Sequence, residues 1–228
     1  MEQVKELVFE ILGKDTSGHN IDHVMRVYNL AMKFAVQEKA NTEIVALAAL
    51  LHDVDDYKLV GHEKAEKLQN AHDIMAQCDI SPDVQDAVVD IIKNMGYSKY
   101  LRGIRPSTLE GKILSDADMC DAIGANGIIS SIVYAVSPKG SGTIFDPAIF
   151  PNLDITADEY NGKGTTHSTD NAINHFFGKL FKIKSIMMTA AGKSEAQKRH
   201  KIMVDFLENL FTEENVSQDW FKLLDGFR

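Results

Sequence analysis

The sequence predicts an all-α protein folded as a single-domain helical bundle. Apolar residues make up 44% of the 228 residues and recur at helical spacing along most of the chain. The most apolar segment is rich in Ala and Leu, and no stretch shows the alternation of apolar and polar residues that is typical of strands. We predict a helical core over about 1–137, a long loop over about 138–170 and C-terminal helices over about 171–228.

The first helices are predicted from apolar residues at positions i, i+3, i+4 and i+7. This spacing indicates an amphipathic helix within residues 4–12 and a second one within residues 24–34. Asn41 then offers an N-cap for a short helix over residues 44–51, where eight apolar residues follow one another. Such a helix must be buried on nearly all sides.

The middle of the chain contains further helix signals. Residues 62–78 show an amphipathic pattern, and Ser81-Pro82 is a typical helix start, with proline in the first turn. Ser107 and Glu110 have the spacing of a capping box before the next apolar helix.

The helical pattern stops between Pro138 and about Asp170, where glycine and proline accumulate. A loop of this length is either a surface excursion or a lid over a site. Beyond it, apolar residues from Ile173 to Phe181 predict one long helix, and those from Ile202 to Leu210 predict another.

Charge and composition exclude several classes of function. The chain has 24 basic and 33 acidic residues, a net charge of −9, so no DNA or RNA polymer is expected as a partner. A small phosphorylated substrate is compatible with this charge, because a metal ion and a few basic side chains neutralise it locally. Two cysteines, no signal-peptide pattern and no apolar run near ~20 residues predict a cytoplasmic protein without a membrane segment. The sequence does not indicate an oligomeric state.

His52 and Asp53 form the most informative pair in the sequence. They follow directly after eight apolar residues, so a buried helix delivers an imidazole and a carboxylate side by side. A buried carboxylate is costly without a partner, and Asp53 therefore requires a cation or hydrogen-bond donors. Taken alone, the pair fits either a metal site or a hydrogen bond at the helix end.

The wider pattern resembles the HD superfamily of metal-dependent phosphohydrolases. Its order of histidine, His-Asp and aspartate on separate helices is matched by His23, by His52-Asp53 and by Asp118. The similarity extends to ALLHDVDDYK at residues 49–58 and DADMCDAIGANGI at residues 116–128, which are similar to phrases of the compact, single-domain bacterial branch.

The resemblance implies one divalent metal ion, which is Mn, Fe, Co, Ni, Zn or Mg. A site with a single ion is favoured because Asn94 stands where members with more metals often carry histidine, and His62 and His72 are expected to be solvated. Asp116 and Asp121 are expected to orient a histidine or cap the backbone. The implied ligands are His23, His52, Asp53 and Asp118.

Candidates for substrate contact and catalysis lie close to these ligands. Arg26, one helical turn after His23, either clamps a phosphate or forms a salt bridge with an aspartate. Asp56 either orients the attacking water or is ordinary surface charge, and Lys58 either meets the phosphate or is likewise surface charge. Further candidates for the pocket are His19, Lys179 and Arg199.

The resemblance therefore predicts a phosphohydrolase that cleaves a small phosphate ester, such as a nucleotide or a related metabolite, with a metal-activated water. Two alternatives remain open. One is a non-catalytic module that binds a nucleotide as a signal, and the other is an iron-dependent oxygenase on the same scaffold.

Overall fold

The structure is a computed structural model that describes residues 1–13, 21–138, 140–153 and 171–228. Within these ranges the chain forms helices and no β-strand, so the all-α prediction is confirmed. The chain divides into two compact units, Met1–Asp118 and Met119–Arg228. No single helix in the described ranges is long and apolar enough to cross a membrane. The prediction of a single domain stays a prediction.

The first unit contains nine of the described α-helices, of which the last, α9, continues three residues past the boundary of the unit. These are α1 (Glu2–Leu12), α2 (Ile21–Glu38), α3 (Thr42–Leu51), α4 (Tyr57–Val60), α5 (His62–Lys67), α6 (Gln69–Gln77), α7 (Pro82–Asn94), α8 (Tyr97–Leu101) and α9 (Leu109–Asp121).

Helix α3 is the centre of the first unit. The Asn41 side chain accepts hydrogen bonds from the N–H groups of Glu43 and Ile44, which confirms the predicted N-cap. All residues from Val45 to Leu51 are buried, and α3 packs against α1, α2 and α7. His52 therefore lies at the C-terminal end of a helix that is buried in the core.

The starts of α3 and α9 are joined by a hydrogen bond between the Asn41 N–H and Glu110 Oε1 at 2.9 Å. The expected capping box of Ser107 and Glu110 is wrong. Helix α9 begins one residue later, so Thr108 is the cap and its hydroxyl accepts from the Gly111 N–H at 3.1 Å. Glu110 therefore lies one residue too early to close the box. Its carboxylate instead joins the start of α9 to the start of α3.

The amphipathic stretch over residues 62–78 is two helices rather than one. Leu68 adopts a left-handed backbone conformation with φ 51°, which ends α5 and begins α6. The new helix start is supported by Asp55, whose carboxylate accepts from the N–H groups of Asn70 and Ala71. Hydrogen bonds to Asp55, a residue distant in sequence, thus stabilise the start of α6.

In the second unit, the long helix α13 (Ala190–Glu213) packs against α10 (Gly124–Val136), α12 (Ile183–Ile186) and α14 (Gln218–Asp225). The single long helix predicted from Ile173 to Phe181 is wrong, because Lys179 leaves the helical conformation (φ −134°) and a 3₁₀ turn follows. The described part of the predicted loop, residues 140–153, contains no helix, whereas residues 139 and 154–170 lie outside the described ranges. The helices are α10 (Gly124–Val136), α11 (Ala172–Gly178), α12 (Ile183–Ile186), α13 (Ala190–Glu213) and α14 (Gln218–Asp225), with the 3₁₀ turn at Leu180–Lys182.

An aromatic cluster forms much of the core of the second unit. Trp220 is fully buried, and its ring centroid lies 4.6–6.0 Å from those of its aromatic neighbours. Its indole N–H donates to the Pro147 carbonyl at 3.1 Å, so the one polar atom of the side chain is satisfied. The neighbours are Phe145, Phe150, Phe177 and Phe211.

The pKa values of two histidines in the second unit are lowered in the folded protein. Burial lowers the pKa of His175 to about 3, and the positive charge of Lys179 acts in the same direction. Burial also lowers the pKa of His200, although a hydrogen bond between its Nε2 and the Phe227 carbonyl at 2.6 Å acts in the opposite direction.

We expect the free energy of unfolding to decrease as the pH is lowered from 7 to 5. The unfolded chain binds protons on both histidines below about pH 6.5. The pKa values of His175 and His200 are lowered in the folded protein, which therefore binds fewer protons there, so stability present above that pH is lost below it. Each histidine contributes at most ~1.4 kcal/mol per pH unit. Urea unfolding at the two pH values should show a smaller difference for His175→Gln than for the wild type. The exposed control His72→Gln should leave the difference unchanged, and equal behaviour of the two variants would contradict the prediction.

Candidate metal centre

Two imidazole nitrogens and two carboxylate oxygens converge in the first unit. The Nε2 atoms of His23 and His52 lie 3.3 Å apart. Asp53 Oδ2 lies 3.5 Å from the first of these nitrogens and 3.4 Å from the second. Asp118 Oδ1 lies 3.4 Å from the His23 nitrogen and 4.0 Å from the His52 nitrogen. The structure therefore brings together all four residues that the sequence predicts as ligands.

Four of these five separations suit a shared metal ion, whereas the 4.0 Å between His52 and Asp118 is slightly longer. Nitrogen and oxygen ligands about 2.0–2.2 Å from one ion are roughly 3.0–3.6 Å from each other in tetrahedral or octahedral geometry. Suitable ligand atoms of His23, His52 and Asp118 all lie within 4.8 Å of one another. The mixed nitrogen and oxygen set is compatible with several divalent ions.

The end of α3 orients His52. Its Nδ1 lies 2.8 Å from the Ala49 carbonyl, one of the carbonyls that the end of a helix leaves without an intrahelical partner. A carbonyl only accepts, so Nδ1 carries the proton and the lone pair of Nε2 faces the cluster. The two interpretations of His52 are thus compatible, because one ring nitrogen makes the helix-end hydrogen bond and the other lies at the cluster.

The cluster opens toward solvent on the side of Asp118. Its side chain is 24% exposed, whereas that of His52 is only 3% exposed. The neighbouring Asp116 is fully buried. Residues two apart on a helix point about 200° away from each other, so the two aspartates face different surroundings.

The predicted substrate contacts lie on the elements that carry the cluster. Arg26 is exposed on α2, one turn after His23. Asp56 caps α4, where its Oδ1 accepts from the Lys58 N–H at 2.8 Å. The ammonium of Lys58 lies 5.8 Å from the centre of the Tyr57 ring. Their roles in catalysis remain predictions.

Three further residues were predicted as candidates for the pocket. His19 lies outside the described residues, and Lys179 and Arg199 belong to the second unit. The Arg199 guanidinium donates to the Cys120 carbonyl at 2.8 Å and to Glu195 at 2.9 Å. These hydrogen bonds indicate a structural role. His62 and His72 are exposed, as expected for solvated residues.

Asp55 is a residue whose importance the sequence analysis missed. It is buried, and its two oxygens accept from the N–H groups of Asn70 at 2.9 Å and Ala71 at 2.8 Å. The Asn70 side chain in turn donates to the Val54 carbonyl at 2.8 Å. Burial raises the pKa of the Asp55 carboxyl, although the two backbone N–H groups act in the opposite direction. These bonds clamp the turn that follows His52 and Asp53.

We expect Asp55→Ala to weaken metal binding as well as folding. The variant loses the cap of α6 and the clamp on the turn, which should cost about 1–3 kcal/mol of stability. Loss of a residue that holds the metal ligands in place typically lowers the affinity for the metal by about 10–100-fold. Urea unfolding and titration with Co²⁺ measure the two effects, and Asp73→Ala is the control because Asp73 is an exposed carboxylate on the same helix. Wild-type affinity for Co²⁺ in Asp55→Ala would show that the clamp does not support the site.

Comparisons with known proteins identify a matching family and several similar chains. The HD domain family matches residues 20–123, a range that contains all four clustered residues. YpgQ of Bacillus subtilis is 32% identical over 210 residues, which cover 92% of this chain and 91% of YpgQ. The crystal structure of an HD-superfamily hydrolase from Bacillus thuringiensis aligns with a TM-score of 0.73 and 32% identity, covering 95% of this chain and 97% of that chain. YpgQ has been crystallised in complex with ADP, and that structure aligns with a TM-score of 0.65 and 26% identity over 93% of both chains.

Proposed function

Because the chain belongs to the HD superfamily of hydrolases, we propose that it is a metal-dependent phosphohydrolase. The proposed substrate is a small phosphate ester, such as a nucleotide or a related phosphorylated metabolite. The proposal is carried by the convergence of two imidazole nitrogens and two carboxylate oxygens at 3.3–4.0 Å, with an opening on one side. The proposed ligands are His23, His52, Asp53 and Asp118.

A divalent ion in such a site lowers the pKa of a bound water and polarises a phosphoryl oxygen. His52 contributes a neutral imidazole, whose orientation is set by its hydrogen bond to Ala49. Asp53 and Asp118 contribute the negative charge that retains a cation, and the greater exposure of Asp118 leaves an approach for the substrate. These residues therefore provide both retention of the ion and access to it.

The remaining roles are assigned to the charged residues next to the ligands. Arg26 is proposed to hold the phosphate through two parallel hydrogen bonds, a geometry that guanidinium groups favour. Asp56 uses one oxygen to cap α4, and its other oxygen is proposed to orient the attacking water. Lys58 is proposed to neutralise the phosphate. A nucleotide as substrate is supported by the complex of YpgQ with ADP.

The proposal is tested by elemental analysis of the purified protein, followed by a panel of phosphorylated compounds with the identified metal supplied. We expect about one divalent ion per chain, and hydrolysis of at least one compound that a chelator abolishes and added metal restores. Absence of metal from active protein would overturn the proposal. Tight binding of nucleotides without turnover of any compound would favour the non-catalytic module instead.

A further inference from the structure

A short segment of the first unit opposes the acidic charge of the chain. From Ile91 to Leu109 the sequence contains Lys93, Lys99, Arg102 and Arg105 but no acidic residue, although the whole chain carries a net charge of −9. Without these four residues, the chain would have 20 basic and 33 acidic residues. The segment is therefore a local source of positive potential on a protein that otherwise repels anions.

The basic residues of this segment differ from other basic residues of the described ranges in their pairing with carboxylates. In many places a basic residue is paired with a carboxylate three or four positions away, but no carboxylate within the described ranges pairs with Lys99 or Arg102. Residues 171–194 also lack acidic residues, yet they contain no arginine, and their Lys182 ammonium donates to the Leu153 carbonyl. The paired residues are Lys5, Lys67, Arg199, Lys201, Lys222 and Arg228.

Residues Lys99–Arg105, which we call the basic turn, have a well-defined backbone. The Ile104 N–H donates to the Lys99 carbonyl at 3.0 Å, and the Gly103 N–H donates to the Tyr100 carbonyl at 2.9 Å. These are the two bonds of a Schellman motif, and Gly103 supplies the required positive φ of 77°. The Arg105 guanidinium lies 4.5 Å from the centre of the Tyr100 ring. The charged groups are thus displayed on a pre-organised turn.

The basic turn is seated on the start of α9, the helix that carries Asp118. Pro106 is buried, and a Cβ at Gly111 would lie only 2.7 Å from the Pro106 Cβ, so glycine permits this close approach. Asp118 follows seven residues after Gly111, about 10 Å along the helix axis. An anionic group of a substrate that contacts the turn must therefore be remote from the phosphate at the metal centre.

We propose that the basic turn is an anion-binding site for a second negatively charged group of the substrate. This group is a phosphate or a carboxylate that is remote from the phosphate being cleaved. The inference rests on the proposed function, and it narrows the substrate class to phosphate esters with two separated anionic groups. Lys99 and Arg102 provide the charge-assisted hydrogen bonds, and the fixed backbone of the turn limits the entropy lost on binding.

Binding of inorganic pyrophosphate to the metal-free protein tests the site directly. Calorimetry at low salt should show binding to the wild type and at least tenfold weaker binding to Lys99→Gln/Arg102→Gln. The control Lys198→Gln/Lys222→Gln removes the same charge from exposed positions of the second unit and should bind like the wild type. Equal binding by all three proteins, or no binding by the wild type, overturns the proposal. Thermal unfolding should confirm that the variants fold, since exposed charge substitutions have small effects.

Kinetics separate this inference from the proposed function. The metal-loaded enzyme is compared on phenyl phosphate and on 1,4-phenylene bisphosphate, which carries a second phosphate across the ring. Lys99→Gln/Arg102→Gln should lower kcat/KM about tenfold for the bisphosphate and less than twofold for phenyl phosphate. An unchanged ratio between the two compounds overturns the proposal. If the wild type hydrolyses neither compound, nor any other phosphate ester, the proposed function fails and the pyrophosphate titration alone decides the anion site.

Discussion

Replacing Asp53 by alanine is expected to remove stoichiometric metal from the protein without unfolding its helices. Its Oδ2 lies within 3.5 Å of both histidine nitrogens, so the variant loses one of four clustered donors and half of the carboxylate charge. Hydrolysis should fall by ~100-fold or more, since electrostatic stabilisation dominates such reactions. Elemental mass spectrometry measures the metal, and circular dichroism measures the helices. Full metal content in Asp53→Ala would show that the ligand assignment is wrong.

A matched pair of aspartates on α9 provides the control. Asp118→Asn should lose metal as Asp53→Ala does, because Asp118 Oδ1 is 3.4 Å from the His23 nitrogen. Asp116→Asn should retain it, because Asp116 is fully buried and points about 200° away from Asp118 around the helix axis. Loss in the second variant together with retention in the first would reverse the assignment.

Trp220→Ala is expected to lower the free energy of unfolding by about 3–5 kcal/mol, the range found when a fully buried aromatic side chain is removed. The substitution empties the centre of the aromatic cluster and leaves the Pro147 carbonyl without its donor. Urea unfolding of the variant measures this loss. Phe9→Ala is the control, because Phe9 is 48% exposed and its removal should have a much smaller effect. A loss of unfolding free energy in Trp220→Ala as small as that in Phe9→Ala would show that the cluster does not stabilise the second unit.

Local sequence signals predicted the elements that depend on neighbouring residues. Helix α3 was predictable because a capping residue, Asn41, precedes an unbroken apolar run. The grouping of His52 with Asp53 was predictable for the same reason, since both follow the end of that buried helix. The inclusion of His23 and Asp118 depended on the resemblance to the HD superfamily, because residues so far apart have no local signal for proximity.

Two of the errors occurred where residues distant in sequence contact the start of a helix. The break at Leu68 depends on hydrogen bonds from Asn70 and Ala71 to Asp55, which is 15 and 16 positions away. Glu110 was misassigned because its partner, the N–H of Asn41, is 69 positions away. In both cases the amphipathic pattern was correct, and a long-range hydrogen bond is present at the observed start of the helix.

The hydrogen bond between Asn41 and Glu110 also has a consequence for the coupling of metal to folding. It joins the starts of α3 and α9, while the far ends of the same helices bring His52 and Asp118 to within 4.0 Å. The donor atoms therefore converge only once these segments have docked, and the unfolded chain offers no comparable site. An ion that binds only the folded form stabilises it by mass action, by about 2.7 kcal/mol at a free concentration 100 times the Kd. Metal starvation would then shorten the lifetime of the protein in the cell as well as its activity, because the unfolded fraction is what proteases remove.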